Sequence, residues 1–183
     1  MGWAGISYYR KSQVHDYGNN PQPNVNEMPP EGVLGTLSAG NWTALGQIQI
    51  KVVSAGEVDL PEDTPIIGVV VDGQSRAYLL KGMSEPQWHL AHDNVKGQPI
   101  TVTYCNWSDC ARVFIRGSVP PEEILMGGAQ GGQMQLLINN KSYDQNTTQL
   151  PIAHYPMKRA TWGGWKLTHP ETEIYLGDQA PKE

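Results

Sequence analysis

Asp72-Gly73 lies between two strand-forming runs, and no other feature of the chain restricts its fold as much. Ile66 to Val71 is apolar and rich in β-branched residues, and Ser75 to Leu80 follows the dipeptide. Asp-Gly accepts the positive φ angles of a type I′ turn, so Ile66 to Leu80 is expected to form an antiparallel hairpin. Related patterns recur along the chain. Gln47 to Val52 alternates polar and apolar, the period of a half-buried strand. Gly97-Gln98-Pro99 opens a run in which Ile100, Val102 and Tyr104 share one face and Thr101, Thr103 and Cys105 the other. Ala111 to Arg116 and Gln133 to Ile138 also read as strands, while Gly127 to Gly132 reads as a flexible turn.

Helix signals are few. Ser84 or Glu85 can cap a short helix with Pro86 in its first position, carrying Trp88, His89 and His92. Thr161 can cap a second over Trp162 to Thr168, stopped by Pro170. The Pro- and Asn-rich stretch from about Gly18 to Gly32 suits neither a helix nor a central strand. The expectation is a mainly β (α+β) fold of antiparallel strands and hairpins with two short helices. An extended arm over residues 1–40 precedes a single β-rich globular domain over residues 41–183.

Composition removes several function classes. Charged residues make up 17% of the chain and the formal net charge is −5, which argues against a nucleic-acid binder. No apolar run approaches the roughly 18 residues of a membrane-spanning helix. The N-terminal order of small, aromatic and then basic residues resembles the outgoing end of a membrane anchor, with Tyr8 and Tyr9 at the headgroups, Arg10 and Lys11 just outside, and Trp3 as a further anchor. These five residues are the expected contacts to a protein partner or a membrane surface.

Candidate chemistry gathers on four residues. Cys105 and Cys110, the two cysteines of the chain, are spaced C-x4-C, unlike the C-x2-C of zinc knuckles and thioredoxin-like sites. On one extended strand their sulfurs would be about 16 Å apart, so they meet only if Asn106 to Asp109 forms a tight turn. A disulfide, two buried thiols and metal ligation all remain open. His89 and His92, three apart, would share a helix face, and with Cys105 they would make an N/S donor set suited to copper or zinc. No Ser lies in G-x-S-x-G, and the Gly-rich loop lacks the pattern of a phosphate-binding loop.

From Pro65 to Gly177 the chain resembles the bacterial domain-of-unknown-function 3179 family. The resemblance rests on Pro65-Ile66-Ile67-Gly68-Val69-Val70-Val71, Arg76-Ala77-Tyr78, Trp88-His89 and Gly97 through Cys105. Val113-Phe114, Tyr143-Asp144, Thr161-Trp162-Gly163-Gly164-Trp165 and His169-Pro170-Glu171-Thr172 complete it. Leu90 stands where the family pattern has Glu, and Asn106-Trp107-Ser108 replaces its Pro-x-Cys. The resemblance implies an exported or membrane-tethered bacterial protein, in the periplasm or on the outer face of a membrane. With the interface-prone composition it leads to a non-enzymatic extracytoplasmic accessory or structural subunit, held at a membrane by its N-terminus and bound to a larger protein assembly. The alternative is a metal- or haem-binding electron-transfer module using His89 and Cys105, with copper, zinc or haem as the cofactor.

Overall fold

β-Branched and aromatic residues in alternating runs, cut by Asp-Gly, Lys-Gly and Asn-Asn turns, give a chain of short strands. The computed structural model describes residues 44–48 and 50–180. Its strands are β1 (Ala44–Leu45), β2 (Val52–Ser54), β3 (Pro65–Val71), β4 (Gln74–Leu79), β5 (Leu90–Val95), β6 (Gln98–Cys105) and β7 (Cys110–Ile115). They continue with β8 (Ile124–Gln130), β9 (Gln133–Ile138), β10 (Lys141–Asp144), β11 (Ala153–His154), β12 (Lys158–Thr161) and β13 (Glu173–Tyr175). Among the described residues the one α-helix is α1 (Trp162–Thr168).

The strands form three sheets. The central sheet has the order β11-β7-β6-β5, the outer sheet β1-β8-β9-β10, and the helix-covered sheet β12-β3-β4-β13-β2. Strand pairing within them is antiparallel except between β4 and β13. Three apolar cores fix how the sheets stack. Ile67, Val69 and Tyr78 of the helix-covered sheet pack with Ile100, Val102 and Val113 of the central one. Leu90, Cys105 and Phe114 on the other face of the central sheet pack with Met126, Met134 and Leu136 of the outer sheet. Trp162 and Trp165 of α1 pack on Ile66, Ala77 and Leu79, the remaining face of the helix-covered sheet. The central sheet is therefore buried on both sides, an uncommon situation for antiparallel strands, which usually keep one face wet.

Several expectations hold in detail. β3 and β4 form the expected hairpin, with Asp72 and Gly73 both at positive φ (46° and 82°), the signature of a type I′ turn. The Thr161 hydroxyl accepts the Gly164 N–H and caps α1 as its sequence suggests.

Three local readings are corrected. Gln47 to Val52 is not one strand. Gln47 instead makes a parallel bridge to Ala91, with Gln47 N–H donating to Leu90 O (2.9 Å) and His92 N–H to Gln47 O (2.9 Å), which seals the free edge of β5. The helix expected around Pro86 is a single 3₁₀ turn, Pro86–Trp88, after which Leu90 enters β5. His92 is consequently a strand residue. Gly127 to Gly132 is not a flexible loop. Gly127 and Gly128 lie within β8 where its register shifts between Met126 and Ala129, and only Gly131-Gly132, at φ 58° and 76°, make the turn. The expected arm over residues 1–40 lies outside the described residues.

Candidate functional site

On β5 and β6 every second residue points away from the helix-covered sheet. That set contains polar side chains, and the outer sheet covers them. His92 is 2% exposed, and Thr101 and Thr103 are fully buried. Buried polar groups need partners, and most here have them. His92 Nδ1 lies 2.9 Å from Thr101 Oγ1. Gln145, itself fully buried, donates its Nε2 to Thr103 Oγ1 (2.8 Å) and to Cys110 O (3.3 Å). His92 Nε2 and Gln145 Oε1 have no hydrogen-bond partner. Burial, helped by the positive charge of Arg116 and opposed by the Ile124 backbone, lowers the His92 pKa to about 4.

His89 closes the 3₁₀ turn, and its Nδ1 sits 2.8 Å from Met83 O. A carbonyl only accepts, so Nδ1 carries the proton and Nε2 is a bare lone pair, buried and without a partner. Burial outweighs the Met83 bond and brings the His89 pKa to about 4. Both rings are thus neutral at physiological pH.

Cys105 and Cys110 are brought together. Asn106 to Asp109 forms the tight turn the spacing required, with Asp109 at φ 46°, and the cysteines face each other across the β6–β7 hairpin. Both are free thiols and buried. Cys110 Sγ donates to Asn146 Oδ1 (3.0 Å), which also accepts from Arg112 Nη2 (2.6 Å), while Asn146 Nδ2 donates to Gln133 Oε1 (2.6 Å). Burial pushes the Cys110 thiol up, with Arg112 working against it. Asp109 accepts a two-pronged bond from Arg159 (2.9 Å each) and a third from Tyr104 Oη (3.2 Å), pinning the turn to β12. Ser108 Oγ and Asn106 Oδ1, in the same turn, are buried without partners.

The full donor set expected from the sequence does not assemble. Among the described residues no three His, Cys, Asp or Glu side chains are grouped to hold a metal ion, so His89, His92, Cys105 and Cys110 are not one site. The helical pairing of the two histidines fails because the 3₁₀ turn ends before His92. Trp3, Tyr8, Tyr9, Arg10 and Lys11 lie outside the described residues.

A second polar cluster was not anticipated. Arg76 of β4 reaches across the core to Asp93 of β5 (Nη1 to Oδ2, 3.0 Å), and Tyr78 Oη donates to the same oxygen (2.7 Å). Arg76 Nη2 also pairs with Glu173 of β13 (2.8 Å). Burial, then the Asp93 charge, raises the Tyr78 pKa well above its ordinary value. Arg76 inside a strand-forming run was the available signal, but nothing in the sequence named Asp93 as its partner.

Residues 47–150 match the family described as "Protein of unknown function (DUF3179)". The match begins ahead of Pro65 and ends before the Trp-rich segment of α1, yet it takes in β5 to β7 and both cysteines. No curated protein and no solved structure matches the chain.

Proposed function

The chain belongs to the DUF3179 family of proteins of unknown function, and from that premise we propose that it is a non-enzymatic extracytoplasmic accessory or structural subunit, associated with a membrane through its N-terminal segment and bound to a larger protein assembly. The observation that carries this reading is that the side chains best suited to acid–base work are committed to packing. His89 and His92 are buried and held neutral. Asp93 spends its carboxylate on Arg76, Tyr78 and the Asn94 N–H. Groups fixed in this way stiffen a scaffold, and a stiff scaffold suits presentation of a surface or a tail to a partner.

Composition supports the same reading, since Trp, Tyr, Asn and Gln are abundant and charge is sparse. Trp3, Tyr8 and Tyr9 are the proposed anchors, with Arg10 and Lys11 just outside the headgroups. The test is deletion of residues 1–30 in the native host. The shortened protein is expected to leave the membrane fraction and to lose its co-purifying partners while its Tm stays nearly unchanged. A shortened protein that remains bound, or a domain that no longer folds, overturns the proposal.

A further inference from the structure

Cys105 and Cys110 are directly opposite in an antiparallel ladder, but opposite pairs are of two kinds and the difference decides what two sulfurs can do. Peptide groups along a strand turn to alternate sides. Tyr104 N–H donates to His89 O, on the β5 side of β6, so the peptide of Cys105 faces β7. Arg116 N–H donates to Pro99 O, giving β6 the same parity at its other end. Tyr155 N–H donates to Val113 O on the β11 side of β7, so the peptide of Cys110 faces β6. The cysteines therefore form a hydrogen-bonded pair. Their Cβ atoms fall at the wide end of the range for opposed residues, about 5.5 Å. A disulfide places Cβ atoms about 3.8 Å apart. Direct bridging would need the backbone to close in, whereas an ion seated between the sulfurs spans the wider gap.

We infer that Cys105 and Cys110 form a two-coordinate thiolate site for a soft monovalent metal ion, copper(I). Ligand type and ligand number both select that ion. Thiolates are soft donors that favour copper(I) among others. Zinc would require two further ligands to complete its tetrahedron, and among the described residues no third His, Cys, Asp or Glu joins the pair. Copper(I), with a filled d shell, is stable between two thiolates.

The step balances as one Cu⁺ and two thiols giving a dithiolate complex of charge −1 and two released protons. The surroundings are equipped for that charge. Arg112 Nη2 bonds Asn146 Oδ1, the atom that receives the Cys110 S–H, which puts a guanidinium one group away from the sulfur. Ser108 Oγ, buried and without a hydrogen-bond partner in the turn that joins the cysteines, is a hydroxyl donor close to both ligands. The inference does not depend on the accessory-subunit reading.

The test uses the full chain, reduced and free of oxygen, titrated with copper(I) alone against a chromophoric copper(I) chelator. One ion per chain is expected to be retained, with ultraviolet thiolate-to-copper charge-transfer absorption and both cysteines protected from alkylation. Cys105→Ser and Cys110→Ser should each weaken retention by more than about 100-fold, beyond the cost of losing an outer-shell partner. His89→Gln and His92→Gln should leave it unchanged. Circular dichroism establishes that each variant is folded, and Asn146→Ala serves as a variant that keeps both ligands. The site is overturned if the reduced wild type yields all its copper to the chelator, if zinc is retained as firmly, or if a folded cysteine variant holds copper as well as wild type. Ready closure of a Cys105–Cys110 disulfide by glutathione disulfide would equally overturn it, because the wide pairing would then not be the constraint.

Discussion

Asp93 joins two sheets from inside their shared core, through Arg76 and Tyr78 of β4. Its partner Arg76 has only a 7% exposed side chain, so the pair is shielded from screening by salt. Removing Asp93 takes away the buried partner of Arg76 and leaves it only Glu173, whose side chain is 37% exposed. Asp93→Ala is expected to cost about 3–5 kcal/mol in urea unfolding. The double variant Arg76→Met/Asp93→Leu should cost clearly less than the two single changes together, since the one charge it leaves without its partner, Glu173, is partly exposed. The histidines make a different prediction. His89 and His92 have folded-state pKa values near 4 and an ordinary value of 6.5, so the unfolded chain takes up protons first as the pH falls. Their contribution is intact above pH 6.5 and is lost between 6.5 and 4, at most about 3 kcal/mol for each ring. Urea midpoints measured from pH 7.5 down to 4.5 should fall across that window, and His89→Gln and His92→Gln should each flatten the decline.

Between elements, α1 packs closely on β3. A Cβ added at Gly68 would lie 2.4 Å from the Trp165 ring, and the ring is held by its own bond from Nε1 to Thr172 Oγ1 (3.0 Å). Gly68→Ala should therefore destabilise by about 1–3 kcal/mol through overpacking, and a near-ultraviolet dichroism spectrum should show the tryptophan signal altered. Elements whose signals are local were readable in advance. Asp72-Gly73 specified the β3–β4 turn, and Thr161 with Pro170 bounded α1. The region from Ser84 to His92 was not readable, since Pro86 signals the start of a helical turn but nothing local says that it ends after three residues. The edge of β5 needed a partner, and Gln47 supplies it, a tertiary demand invisible to the alternation in Gln47 to Val52.

Across the whole molecule, the two-sided burial of the central sheet explains most of what alternation concealed. A period of two separates the faces of β6 but cannot say whether the Thr101–Thr103–Cys105 face meets water or another sheet. The outer sheet covers that face, and the opposition of Cys105 and Cys110 followed from a turn that the sequence only permitted. Because two of the three cores use the central sheet, the layers should not unfold separately. Native-state hydrogen exchange is expected to give the amides of Ala77 in β4, Val102 in β6 and Leu136 in β9 the same limiting free energy. A lower value confined to Leu136 would show the outer sheet opening alone.

The position of β13 has a consequence for how the chain is made. Glu173–Tyr175 is inserted between β4 and β2, pairing in parallel with Arg76–Tyr78 and antiparallel with Val52–Ser54. While a ribosome is still adding residues short of 173, that slot is empty. β2 then has no neighbour, β4 has an open edge, and Glu173 is not there to meet Arg76. Contacts of such long sequence separation form slowly. The nascent protein must therefore pass through synthesis with its first half unfinished, and a message truncated before codon 173 encodes a chain with an unprotected strand edge.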